Sequence, residues 1–478
     1  MAFKEALMKK QVITLVSVVL VLGLLVTALI FLNRNPEKDA SSETASDSSV
    51  TLYSGDKEDV VKLRVENKDG GFTINRTGDD TWKVEGLSDY PVDNTNVESA
   101  LQRAASFVAR RLVAESADDL SEYGLDKPAA SFYVEFEDGA AHELLIGDEV
   151  PGGSGFYAKE KDGDRIYISE TSGSYAFWFN KKLSFIDLSL SEGISAEDQM
   201  KIQRIIFGGS AREKRIVLRP VTEKESEEKN NMDTYKIIEP YYFSPNPDKL
   251  SSFLSSIGSG LTAMEAVALV TSPKVLKSYG LDDPPYTISY TLNDNTFKMS
   301  IGDRDESDDT YYVLVEGKKV VYKVSASVLT YANWQIKDLL SYTVFIFIDS
   351  VESIRVKTSS VDYTYKLSGE DDDLKVTLDS KTLDTDNFRS LYQILLGGFS
   401  SAQTDAERTE TSPALSITFN YRDKDRESVN IDYYKIDSRN YKRYVNGIPL
   451  NSVTVTYINK VIKSLQDILD GVEINTSY

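Results

Sequence analysis

Three stretches of the chain alternate apolar and polar residues as a half-buried strand does: Val61-Lys62-Leu63-Arg64-Val65, Ile202-Gln203-Arg204-Ile205-Ile206 and Val351-Glu352-Ser353-Ile354-Arg355-Val356. Each predicts the opening strand of a separate unit, with a second strand around Trp82, Tyr235 or Leu374. The spacing then becomes helical. Val97, Leu101, Ala104, Phe107 and Val108 fall on one face in the first unit, and Leu250, Phe253, Leu254, Ile257 and Leu261 in the second. Phe388, Leu391, Ile394 and Leu395 do so in the third, and Asp93, Asp248 and Asp386 are the expected N-caps. Alternation returns at residues 132–136 and 288–292, with hairpin turns at Asp138-Gly139 and Asn293-Asp294. A closing helix is predicted around Trp178 or Trp334. Strands and helices come in runs, without strict alternation, so the predicted class is α+β, with antiparallel or mixed sheets packed against helices.

The units are copies of one pattern. Tyr123-Gly124-Leu125-Asp126-Lys127-Pro128 recurs as Tyr279-Gly280-Leu281-Asp282-Asp283-Pro284. Pro128 lies 18 residues before Ile146-Gly147-Asp148, and Pro284 lies 17 before Ile301-Gly302-Asp303. A worn third copy keeps Pro413 18 residues before Ile431-Asp432 but has Arg408-Thr409-Glu410-Thr411-Ser412 in place of the Tyr-Gly-Leu-Asp element. That element reads as a helix stop: glycine in the left-handed conformation, leucine folded back on the last turn, proline preventing continuation. Ser272-Pro273 reads as the start of the short helix it stops in the second copy.

A different pattern stands at the N-terminus. Residues 12–32 carry no charge and are nearly all apolar, enough for a helix to cross a bilayer. Lys4, Lys9 and Lys10 precede them, which by the positive-inside rule puts the N-terminus in the cytoplasm and the bulk of the chain outside. The run is too long for a signal-peptide core and lacks a small-residue cleavage site, so an uncleaved anchor is expected. Residues 33–49 are polar and read as a disordered tether. The predicted organisation is therefore a cytoplasmic N-terminus and transmembrane helix at 1–32, the tether at 33–49, and repeat domains at 50–198, 199–348 and 349–478, the last degenerate.

Composition narrows the chemistry. The chain carries 54 Lys plus Arg against 75 Asp plus Glu, a net charge of −21, which disfavours nucleic acid as a partner. It has no cysteine and one histidine, His142, so disulfides, thiol nucleophiles and zinc sites of the Cys/His kind are largely excluded. His142 lies in a strand-like stretch with nothing marking a serine or acid beside it. Asp126 with Asp148, and Asp282 with Asp303, could form acid/base pairs, but recurrence in each copy fits a fold-defining turn better. The loop at 303–309 has five carboxylates in seven residues, enough oxygen for calcium, yet lacks the glycine and closing glutamate of an EF-hand and reads as solvated. Glu223–Glu228 and Glu370–Asp373 read as solvated hairpin tips. No catalytic, cofactor-binding or metal-binding residue is assigned, no cofactor is expected, and the chain reads as a non-enzyme.

The repeated Tyr-Gly-Leu-Asp and Ile-Gly-Asp elements, with the N-terminal apolar run, resemble a bacterial family known as domain of unknown function 4340. The resemblance covers most of residues 50–470. It implies a single-pass plasma-membrane protein, encoded beside an ABC transporter of the gliding-motility type and associated with that transporter's membrane subunits. Two readings follow: an anchored extracytoplasmic accessory or scaffold of an envelope complex, or an extracytoplasmic ligand-binding protein presenting a small molecule or glycan from a cleft between repeats. The resemblance brings no catalytic residues.

Overall fold

The computed structural model describes residues 49–153, 155–169, 176–227, 232–398 and 408–477. The first repeat contains β1 (Val50–Ser54), β2 (Val60–Asn67), β3 (Phe72–Gly78), β4 (Thr81–Val84), helix α1 (Asn94–Ala104), β5 (Ser106–Ala114), β6 (Ala130–Phe136), β7 (Ala141–Glu149), β8 (Phe156–Glu160) and β9 (Ile166–Ser169). At its end lies β10 (Ser189–Ser191); the second contains β11 (Ile202–Gly208), β12 (Ile216–Pro220), β13 (Tyr235–Glu239), α2 (Pro247–Gly258), β14 (Leu261–Thr262), β15 (Glu265–Leu269), β16 (Tyr286–Leu292), β17 (Asn295–Asp305), β18 (Thr310–Val315) and β19 (Val320–Ser325). The third contains β20 (Val351–Thr358), β21 (Asp362–Ser368), β22 (Lys375–Leu378), β23 (Lys381–Leu383), α3 (Thr385–Gly397), β24 (Leu415–Tyr421), β25 (Val429–Lys435), β26 (Asn440–Val445), β27 (Ile448–Thr454) and α4 (Val455–Asp470).

Each repeat is built on one sheet. The orders are β1-β5-β9-β8-β7-β6-β2-β3-β4, then β13-β12-β11-β16-β17-β18-β19-β15, then β23-β22-β21-β20-β24-β25-β26-β27. The seam is the same in all three: the strand with the opening alternating pattern pairs with the strand that starts two residues after Pro128, Pro284 or Pro413, as β2 with β6, β11 with β16 and β20 with β24, all antiparallel. β6 and β24 bury every second residue, as their alternating sequence predicts. The helix between the two meanders closes one face, with Val97 and Leu101, Phe253 and Ile257, or Phe388 and Leu391 buried. β10 pairs with β14, joining the end of the first repeat to the second, and the buried apolar residues form one connected core through all three.

Several local expectations shift. Asp93 caps α1, but Asn246 caps α2 and Asp384 caps α3, because Pro247 and Thr385 already occupy the first helical turn. Phe107 and Val108 lie in β5, past the end of α1. The expected closing helix shrinks to a three-residue turn at Phe177–Phe179 in the first repeat and to Ile336–Leu339 in the second, with Trp334 ahead of it. Side chains capture the carbonyls a helix would use: Asn67 Nδ2 donates to Trp178 O and Asn180 O, both at 2.8 Å, and Arg212 Nη2 donates to Ala332 O at 2.7 Å.

The transmembrane helix expected at residues 12–32, and the tether apart from Ser49, lie outside the described residues. Among the described residues no helix is long and apolar enough to cross a membrane. The longest, α4, has 16 residues, or about 24 Å, where a bilayer needs about 30 Å, and it carries Lys460, Lys463, Asp467 and Asp470. It buries Tyr457, Ile458, Val461, Leu465 and Ile468 instead. The anchored element of the expected fold therefore finds no support, nor does the single-pass plasma-membrane localisation with an extracytoplasmic bulk. An ABC transporter's membrane subunits as partners are likewise without support, and both functional readings lose the membrane anchoring they required. What stands is an α+β chain of antiparallel sheets.

Candidate interaction site at the second junction

The signature elements serve the fold. Gly124 sits at φ 65° and Gly280 at φ 64°, each ending a short helical turn. Gly124 N–H donates to Ser121 O at 3.2 Å and Leu125 N–H to Leu120 O at 3.0 Å, the paired bonds that close a helix on a left-handed residue. Leu281 N–H donates likewise to Leu276 O at 2.9 Å. The turn presses on the neighbouring strand: a Cβ on Gly147 would lie 2.1 Å from Tyr123 O, and one on Gly302 2.1 Å from Tyr279 O. The tyrosines then pack ring to ring, Tyr123 with Tyr157 at 5.0 Å and Tyr279 with Tyr312 at 4.7 Å. In the third repeat Arg408 stands five residues before Pro413, where the other copies have tyrosine. Its guanidinium covers the rings of Tyr434 at 4.7 Å and Tyr444 at 5.8 Å. Asp126, Asp148, Asp282 and Asp303 all lie exposed at these turns.

The other candidates are also engaged. His142, on β7, stacks on Tyr53 at 4.1 Å, and its Nδ1 lies 3.5 Å from Glu160 Oε1. Burial, with Glu160 nearby, raises the Tyr53 phenol well above its ordinary range, and its OH donates to Ala104 O at 2.8 Å. Ser54 and Asp59 share a cleft of about 460 Å³ with His142, but neither hydrogen-bonds to the imidazole. In the 303–309 loop, Lys323 Nζ sits 2.8 Å from Asp305 Oδ2 and 2.7 Å from Asp308 Oδ2, and Arg304 Nε donates to Asp309 Oδ1 at 3.0 Å. Lys323, then Ser307 and Tyr312, hold the Asp305 carboxyl well below its usual range. An ammonium thus takes the central place in the loop, and no group of three or more acidic or histidine side chains suited to a metal occurs among the described residues. Glu223–Glu227 forms a short exposed helix in the connection of the β12–β13 hairpin, where Arg219 grips Glu225 through two bonds of 2.7 and 2.8 Å.

The feature left without an internal role is the strap joining the second and third repeats. Its carbonyls are held from the third repeat: Arg443 Nη1 donates to Tyr342 O at 2.9 Å and Tyr392 OH to Ile346 O at 2.7 Å. Burial, reinforced by Tyr421 and Asp349, raises the Tyr392 phenol far above its ordinary value and keeps it a donor. With Ile346 turned into the core, alternation puts Phe345 and Phe347 outside, 59% and 48% exposed. Beside them is a cavity of about 360 Å³, walled also by Val344, Tyr392 and Leu396.

Phe347 also borders a second cleft of about 720 Å³. Glu227, Asp349, Glu370, Asp371, Asp423 and Asp425 line it against Lys224, Arg422 and Arg426. Two of the three cations are occupied. Arg422 Nη2 donates to Gly369 O at 2.8 Å, and the Arg426 guanidinium lies 3.8 Å above the Tyr421 ring. An exposed apolar ridge thus stands next to a cleft with an excess of carboxylates.

A family model described as a domain of unknown function (DUF4340) matches residues 82–241 and 236–412, well over half of the chain. The chain belongs to this family. Each DUF4340 match begins at the last strand before a repeat's helix, near β4 or β13, and runs into the following repeat. The matched unit therefore straddles a junction, and the second match contains the strap. No curated protein and no solved structure is detectably similar to the chain. In the sequence, Val344-Phe345-Ile346-Phe347 looks like any buried strand; only the absence of a polar partner on alternate positions hinted that one face lacks a cover.

Proposed function

We propose that this chain is a non-enzymatic accessory protein that works by binding another protein at the junction of its second and third repeats. The observation that carries the reading is the exposure of Phe345 and Phe347 on a strap whose backbone is fixed from the third repeat. Large aromatic side chains held rigidly in the open lose apolar contact with nothing in return unless a partner covers them, and such residues dominate binding energies where they are covered. The placement of Gly124 and Gly280 in left-handed turns that pack on a neighbouring strand supports a structural role for the repeated elements.

A photo-crosslinking side chain placed at position 345 of the full chain tests this. A discrete adduct is expected in expressing cells, lost when Phe347→Ser is added and absent when the probe is moved to the exposed Val328. Equal labelling at both positions, or none at 345, overturns the reading.

A further inference from the structure

We infer that the junction docks an extended, basic segment of a protein partner, with one apolar side chain in the 360 Å³ cavity and its flanking lysines or arginines in the acidic cleft. This rests on the interaction reading above and names the partner's chemistry.

The geometry argues for a segment and not a globular face. The two recesses adjoin through a single side chain, Phe347, so an occupant must turn an apolar group one way and charged groups the other within a few residues. An extended strand does this by alternation. Charge selects its composition. Six carboxylates face three cations in the larger cleft, Arg422 and Arg426 already have partners there, and the whole chain is at −21. Glu227, Glu370 and Asp425 lie exposed on the cleft wall, where an incoming cation can reach them. Anionic polymers are repelled, and so is a second copy of this acidic chain. A lysine or arginine stem can also lie along the exposed Phe347 while its head reaches the rim.

The probe is a fluorescein-labelled peptide with a central Leu-Phe pair flanked by two lysines on each side, titrated into the purified full-length chain and read by anisotropy. Saturable binding is expected. Phe345→Ser with Phe347→Ser, or Ser-Ser in place of the peptide's Leu-Phe, should each weaken it about tenfold or more. Glu370→Gln with Asp425→Asn should weaken it about three- to tenfold and flatten its salt dependence. Asp79→Asn with Asp80→Asn removes the same charge from an exposed turn of the first repeat and should leave binding unchanged. No binding, binding indifferent to the phenylalanine changes, or equal sensitivity to the Asp79 and Asp80 changes overturns the inference. So does self-association, by light scattering, that the Phe345 and Phe347 changes abolish. If crosslinking at position 345 succeeds while the peptide fails, the interaction reading survives and the basic segment falls.

Discussion

Asp303 closes against Gly280: its N–H donates to Tyr279 O at 2.9 Å, and a Cβ on Gly280 would lie 2.3 Å from its Oδ1. Gly124 and Asp148 repeat the contact, with 2.4 Å from such a Cβ to the carboxyl carbon. Two separate demands thus fall on one residue, a left-handed backbone and room for the strand beside it. Gly280→Val and Gly124→Val should each destabilise the chain by at least about 1 kcal/mol. Gly280→Ala should cost more than Gly317→Ala, since Gly317 also has a positive φ, 88°, but nothing within 4 Å of its Cβ position. Urea unfolding of the two alanine variants separates the contact from the backbone strain.

Arg219 and Glu225 set a pH dependence. The Arg219 fork, then the Tyr242 and Thr222 bonds, holds the Glu225 carboxyl well below its ordinary value. A carboxyl depressed on folding contributes stability that is fully present above its unfolded value, about 4.3, and is lost as pH falls toward the folded one. Glu225→Gln should lower stability at pH 7 by about 1–2 kcal/mol. Its stability should also change less than the parent's as pH is lowered from about 5 to 2. Unfolding curves across that pH series check both.

The loop at 303–309 should not respond to calcium. Lys323 already bridges Asp305 and Asp308, so excess calcium is expected to leave the melting temperature unchanged. Lys323→Met should lower that temperature, and more at low salt than at high, because two unscreened aspartates are left side by side. A calcium-dependent rise in the parent chain would contradict the assignment.

Tyr392→Phe should loosen the strap. It leaves the buried carbonyl of Ile346 without its donor, a loss of about 1–3 kcal/mol. Faster amide exchange around Phe345–Phe347, measured by mass spectrometry beside the parent, is the accompanying sign that the ridge is fixed from the third repeat.

The sequence by itself determined the repeat, the α+β class, the hairpins at Asp138-Gly139 and Asn293-Asp294, and the helix-stopping role of Gly124 and Gly280. These are local: period, turn chemistry and a left-handed glycine act within a few residues and leave their mark in the order of residues. Tertiary structure decided the rest. Gly147 and Gly302 are required because a carbonyl from elsewhere in the repeat arrives within a Cβ's reach, and Asp432 can replace them in the third copy, where Arg408-Thr409 lies against β25 instead, Thr409 N–H donating to Lys435 O at 3.0 Å. The predicted closing helices failed because Asn67 and Arg212, more than a hundred residues away, took their carbonyls. Phe345 and Phe347 have the same apolar character as Ile346, and only the grip of Tyr392 and Arg443 on the strap determines which side of it faces the core. Burial is a property of what surrounds a residue, so a face left uncovered is visible only once the chain has folded around it.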